Sequence, residues 1–436
     1  MAHRDPVPHA MIADFRPHPH RPDPVDMVRR DESGRIRHLL PKRREKMLRC
    51  PFLFLRATAG IMALDLTQQK NSGIHVRSSG DCHLGNFGVI GAADSNEPVF
   101  DLNDFDEAAD APFEWDVKRL ATSFVLERQS HDADDAACRA LAETAVHSYV
   151  TAMRGHATQS PVEVWRTRID LQTALRDHGN RDTNPILRKL YQQGVTDSHD
   201  AYRELLEPLD QPRRFISDHK DIDRLTRDHH PRHRHRAIKI FKAYAKRMRL
   251  VAPERAVLLD RYELKDVASK RAGTGSLGRF CVLGLFLTGD HEPLLLQIKE
   301  AVRSVLHVQS GQKTWRNQGQ RVVESQRILQ AVPDPFLGWT HKPIHGRDFY
   351  VRRLKDAQLS RQDKELVAVN PHLHAVLCGQ ALARAHARSG DPTLIAGYLG
   401  ADDGFTTAIG DFAMVYAHQV IADYDRVHAA NARGQL

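Results

Sequence analysis

The sequence predicts an α+β protein built as a small β-rich lobe and a larger helical lobe, and three observations lead there. The chain has 436 residues, more than a single hydrophobic core usually organises, the limit being about 250–300. Apolar residues recur at helical spacing across 115–127, 134–153 and 237–248, as expected of helices that bury one face. Residues 266–301 read instead as strand, glycine turn, strand, turn, strand, a β-meander pattern.

These patterns divide the chain. Residues 1–45 form an arm rich in Pro, His and Arg. Residues 46–255 supply the first part of the helical lobe, 256–356 the β-rich lobe, and 357–436 the helices that complete the larger lobe. No internal repeat is present. The composition, 41% hydrophobic and 27% charged, is that of a folded protein and excludes a disordered chain. No apolar run is long enough to span a bilayer, and the N-terminus, with Asp5, Asp14 and several prolines, lacks a signal-peptide core, so the expected location is the cytoplasm and no membrane partner is expected. Cys50, Cys82, Cys138, Cys281 and Cys378 are scattered and odd in number, which predicts free thiols.

Two clusters carry chemistry. The first is Gly80-Asp81-Cys82-His83-Leu84-Gly85-Asn86 followed by Phe100-Asp101-Leu102-Asn103-Asp104-Phe105-Asp106. If Asp81 and Asn86 share one tight loop and Asp104 ends the next strand, a metal–nucleotide fits between them. Phosphoryl transfer needs an acid to orient the attacking hydroxyl, oxygen ligands for Mg²⁺ and cations for the moving phosphate. Asp81 is therefore the expected catalytic base, His83 the residue bracing its loop, and Asn86, Asp104 and Asp106 the candidate metal ligands. Asp101 competes for the same role, because the stretch alternates like a strand. Any one of these acids alone would read as a turn residue; the constellation points to a site.

The second cluster is Lys270-Arg271-Ala272-Gly273-Thr274-Gly275-Ser276-Leu277-Gly278 with the later run Leu294-Leu295-Leu296-Gln297-Ile298-Lys299-Glu300-Ala301. Gly273, Gly275, Ser276 and Gly278 would let the backbone close over phosphates, although a plain hairpin uses the same residues. Lys299 closes an apolar run with a cation, as does the kinase strand whose lysine meets nucleotide phosphates; an edge-strand lysine is the competing reading. Glu324, inside the helix-like stretch 318–330, is the candidate acidic partner of Lys299, or else a surface glutamate.

GDCHLGNFG with DFDEA and WDVKRLA resembles the HGDxHxxN and DFD/DWE signatures of aminoglycoside phosphotransferases and choline kinases, of the protein-kinase-like superfamily. From Pro51 to the C-terminal helices the chain resembles, more closely, a bacterial family of uncharacterised proteins carrying GDxHxxNFG, DFDE and a late KEA strand. The resemblance implies a two-lobed kinase-like fold and an ATP- and Mg²⁺-dependent phosphotransferase acting on an unknown, small-molecule hydroxyl acceptor. Ser79 departs from the histidine usual before the Gly-Asp pair. The motif order is inverted, acidic loop first and glycine loop last, which implies a circular permutation. The helix that precedes the catalytic loop is then either Cys378–Arg388 or residues 51–66.

Other functions fit parts of the chain. An AMP-transferring enzyme or a nucleotide-binding scaffold without turnover would use the same fold. The net charge of +8 and the basic stretch 211–250 suit a nucleic-acid partner, less favoured than the nucleotide. His229, His230, His233 and His235 alternate with Arg232, Arg234 and Arg236, whose charges disfavour a metal there.

Overall fold

The computed structural model describes residues 6–91, 97–178, 183–195, 203–208, 213–217, 219, 222–270, 277–310, 315–342, 344–354 and 365–436. The architecture is mixed α+β. Among the described residues are three antiparallel sheets: β1 (His75–Ser78) with β4 (Ala109–Pro112); β2 (Phe87–Ile90), β3 (Val99–Leu102) and β5 (Ile169–Asp170); and a six-stranded sheet. The last comprises β6 (Ile222–Arg224), β7 (Glu263–Lys270), β8 (Cys281–Leu287), β9 (Pro293–Ala301), β10 (Gly338–Trp339) and β11 (Asp348–Arg353), in the order β10-β11-β9-β8-β7-β6.

The central strands are apolar almost throughout because both faces of the sheet are covered. Side chains alternate across a strand, so Leu294, Leu296 and Ile298 pack with Ile240, Phe241 and Tyr244 of the helix Pro231–Val251. On the opposite face Leu295 joins Leu283, Leu285, Leu206 and Phe215. Gln297 and Lys299 share that second face by parity. Register sets Lys299 between Cys281 on β8 and Tyr350 on β11.

The helical body has its own, larger core, built around Glu114–Gln129, Asp135–Ala157, Pro371–Ser389 and Gly404–Ala432. Asp134 caps the second of these and Asn370 the third, each accepting a backbone N–H of the first turn. Gly379 sets how closely the second and third approach: a Cβ there would stand 2.3 Å from the Ala145 carbonyl oxygen. The N-terminal segment is fastened to this body. Ile12, Phe15, Val25 and Val28 enter its core, and Arg21 spans Asp65 and Asp423, 2.6 Å from each. All five cysteines are free. Among the described residues no helix is long and apolar enough to cross a membrane.

The alternation expected through Phe100–Asp106 stops early. β3 ends at Leu102, and residues 103–108 turn out of the sheet. Asp101 points into the helical body, fully buried, where its carboxylate pairs with Arg384 and accepts the backbone N–H of Ala331 at 2.7 Å. It is thereby removed from competition for a metal. Gly379→Ala is expected to cost about 1–3 kcal/mol, the usual penalty of overpacking a rigid contact, read as a lower denaturation midpoint; unchanged stability would contradict this helix contact.

Candidate functional site

The loop that carries Asp81 is held from behind by one buried helix. In Glu114–Gln129 the side chains from Glu114 to Glu127 are all buried, and the helix spends two of its buried charges on the loop. Asp116 accepts the backbone N–H groups of Ser79 at 2.6 Å and Gly80 at 3.1 Å. Arg119 donates to Asp81 Oδ1 from Nη2 at 2.5 Å and from Nε at 2.9 Å, and to the Leu55 carbonyl at 2.8 Å. Gly80 has φ +80°, and a Cβ on it would meet the Glu107 carbonyl oxygen at 2.3 Å, so only glycine admits both the turn and the approach.

Within the loop His83 braces the backbone. Its Nδ1 accepts the Gly85 N–H at 3.1 Å, and its Nε2 lies 3.7 Å from Asp81 Oδ2. Burial, then Arg56 and Arg119, hold the imidazole well below its ordinary pKa, so it is neutral. Asn86 donates through Nδ2 to the Asp81 carbonyl at 2.8 Å, which leaves its amide oxygen as the half suited to a cation. Burial raises the Asp81 pKa above the ordinary carboxylate value, and Arg119 opposes the rise.

Opposite stands Lys299. Its ammonium pairs with Asp106 and lies 3.8 Å from Asp104 Oδ1. Burial works against the charge, but Asp104 and Asp106 outweigh it and push the lysine pKa up. The Tyr350 hydroxyl donates to the other oxygen of Asp106. Glu324, the expected partner of Lys299, is not there: it accepts from Gln320 Nε2 at 2.7 Å on the half-exposed side of the helix Gln318–Leu329. That helix turns Arg321 inward instead, fully buried and donating to the carbonyls of Ala108 (2.6 Å), Asp106 (2.7 Å) and Val302 (2.8 Å). The lysine therefore takes its counter-charge from the turn after β3.

Asp81, His83, Asn86, Asp104, Asp106 and Lys299 line one cleft of about 1480 Å³, above the ~300–1,000 Å³ of a single small-ligand pocket. Of the glycine-turn residues, Gly273, Gly275 and Ser276 lie outside the described residues. Gly278 is described, and the N-terminal segment fastens that end of the turn: Ile36 N–H donates to the Gly278 carbonyl at 2.8 Å and Arg35 to the Leu277 carbonyl at 2.8 Å.

As a metal position, the acidic wall offers hard oxygens only. Among the described residues no three His, Cys, Asp or Glu side chains group as a metal cage. Asn86 and Asp104 are what Mg²⁺ needs when nucleotide phosphates and waters complete its shell; Asp106 is engaged by Lys299 and Tyr350. Sequence reasoning missed Asp116, Arg119, Tyr350 and Glu107. The first two had a signal: charged residues three apart within a helix otherwise as apolar as Leu120–Leu126 must be buried and paired.

The basic helix Pro231–Val251 contributes no residue to the lining of this cleft. In Pro231–Val251 the residues Ala237, Ile240, Phe241, Tyr244 and Met248 are buried against the sheet, while Arg232, His235, Lys239, Lys242, Lys246 and Arg249 follow one another at intervals of three and four along the exposed side.

The chain belongs to a family described as uncharacterised proteins conserved in bacteria (DUF2252), which it matches over residues 35–430. No curated protein and no solved structure matches it.

Glu107 gives the site a pH signature. Burial pushes its carboxyl up to about 7, against the pull of the Val305 N–H that it accepts. Between the ordinary carboxylate value and about 7 the native state therefore binds this proton more tightly than the unfolded chain, so stability falls as pH rises through that window and levels above it. The expected difference between wild type and Glu107→Gln, measured by denaturant titration at pH 5 and pH 8, is a decline of order 1–3 kcal/mol present in the wild type and missing in the variant.

Proposed function

We propose that this protein is an ATP- and Mg²⁺-dependent phosphotransferase with a two-lobed, circularly permuted kinase-like fold. The observation that carries the reading is the shared cleft: Asp81 and Asn86 from one end of the chain and Lys299 from more than two hundred residues later face the same space. Mg²⁺ would be held by Asn86 and Asp104 and would draw charge from the nucleotide phosphates. Lys299 contacts those phosphates. The acceptor hydroxyl rests on Asp81 Oδ2, since Oδ1 is occupied by Arg119. The acceptor oxygen forms its bond to the γ-phosphorus as the bond from that phosphorus to the β-bridging oxygen breaks; ADP departs, and the hydroxyl proton passes to the Asp81 carboxylate.

The packing of the helix Pro371–Ser389 against β1 supports the permutation. The end of the helix Pro371–Ser389 lies against β1, the strand that leads into the Asp81 loop: Ser389 Oγ accepts the Arg77 N–H at 3.3 Å, and a Cβ on Gly390 would stand 2.7 Å from Val76. Linking these segments would restore the kinase order of helix, catalytic loop and metal aspartate. This favours the helix Pro371–Ser389, which carries Cys378–Arg388, over residues 51–66 as the element that precedes the loop.

A second reading, a polyanion-binding protein, is favoured by the cationic stripe from Arg232 to Arg249. Both readings are separable. Incubation with γ-labelled and α-labelled ATP, Mg²⁺ and a panel of hydroxyl acceptors is expected to transfer the γ-label, with Asp81→Asn lowering the rate by about 10²–10⁴-fold, the usual worth of a general base. Transfer of the α-label instead would identify an AMP transferase, ATP binding without transfer a scaffold, and salt-sensitive RNA or DNA binding without ATP binding the polyanion reading.

A further inference from the structure

We infer that the cleft contains an anion subsite centred on Arg56, distinct from the nucleotide position at Lys299, and that the acceptor is a hydroxy compound bearing a phosphate or carboxylate group. The subsite stands on its own geometry; its assignment to the acceptor rests on the phosphotransferase reading.

Arg56 sits in the last turn of the helix Pro51–Ala57 and lines the cleft on the Asp81 side. Its Nε stands 3.4 Å from His83 Nε2, and its guanidinium carbon lies 5.7 Å from the centre of the Phe52 ring. Burial disfavours its charge, and the carboxylates whose field offsets this are Asp81 and Asp104. Neither is its ion-pair partner: Asp81 is bound by Arg119, and Asp104 lies beside Lys299. His83, neutral, supplies no counter-charge. Among the described residues no carboxylate forms an ion pair with Arg56.

A half-buried guanidinium without an ion-pair partner is disfavoured by desolvation in the free protein, and an arriving anion relieves this. Its planar fork suits the paired oxygens of phosphate or carboxylate. Arg30 and Arg303 stand exposed at the rim of the same cleft, where they raise the local concentration of anions. Position assigns the ligand. Arg56 is near enough to Asp81 to act on its carboxylate electrostatically, so a molecule whose hydroxyl rests on Asp81 can place its oxyanion on Arg56. Cationic acceptors, the aminoglycosides and choline of the resembling families, would meet this guanidinium unfavourably. The departure from those substrates is written in the wall opposite the nucleotide.

Inorganic phosphate is the probe, titrated calorimetrically into the free protein and into protein saturated with Mg²⁺ and AMP-PNP, whose γ-position is filled. The expected result is phosphate binding to the loaded wild type, with a dissociation constant of order 1 mM. Arg56→Gln should weaken it at least tenfold, Arg56→Lys less, with AMP-PNP affinity unchanged in both. Without ligand, Arg56→Gln should melt no lower than wild type, since the charge removed has no ion-pair partner, and this confirms that the variant folds. Equal phosphate binding by wild type and Arg56→Gln, binding only in the absence of AMP-PNP, or none to the wild type would each overturn the subsite. Failure to bind AMP-PNP, with phosphate still held by Arg56, would keep the subsite and end the phosphotransferase reading.

Discussion

The structure turns on the ion pair between Lys299 and Asp106. A lysine ammonium buried on a sheet face cannot stand alone, because taking an isolated charge from water costs several kcal/mol even after relaxation. The sheet offers it Cys281 and Tyr350 as strand neighbours, neither able to neutralise it. Its counter-charge has to come from another part of the chain, and the turn after β3 supplies it. The same turn is tied by Arg321 to the end of β9 through the carbonyls of Asp106, Ala108 and Val302. Two segments nearly two hundred residues apart are thus fixed to one another at the cleft.

The acidic loop is fixed by different means. Asp116 binds the backbone N–H groups of Ser79 and Gly80 from behind, adding to the bracing by the loop's own His83 and Asn86. It is itself anchored to the helix Pro371–Ser389 through His386, 3.3 Å away. Arg119 holds one oxygen of Asp81 and leaves the other toward the cleft. Such bracing is what preorganisation requires: groups aimed before the substrate arrives need no reorganisation when charge moves. The protein accepts several buried charges to obtain it, and among the described residues Arg56, like Arg321, forms no ion pair with a carboxylate.

Much of this was legible in the sequence, for physical reasons. The Asp81–Asn86 spacing fits a single tight loop, and the parity of 294–299 puts Lys299 on the face opposite the helix-covered side. Asp101 and Glu324 were not legible. Asp101 reads like its neighbours until the strand's end at Leu102 is known, because one residue of register separates a buried ion pair from a cleft wall. Glu324 lies on a helix with the right period, but which face turns inward is decided by Val322, Val323 and Leu329 entering the core, and they bring Arg321 with them. The support given by Asp116 and Arg119 was present in the sequence as charges within an apolar helix. Their partners were not, since burial demands a counter-charge without saying which.

The central claim is that an early acidic loop and a late cationic strand form one nucleotide cleft. Calorimetric titration with ATP, with and without Mg²⁺, of wild type, Lys299→Met and Asp104→Asn tests it most directly. The account predicts Mg²⁺-dependent binding by the wild type, weakened by either substitution although the two residues lie nearly two hundred positions apart in the sequence. Absence of ATP binding, or binding indifferent to both substitutions in proteins that remain folded, would contradict it.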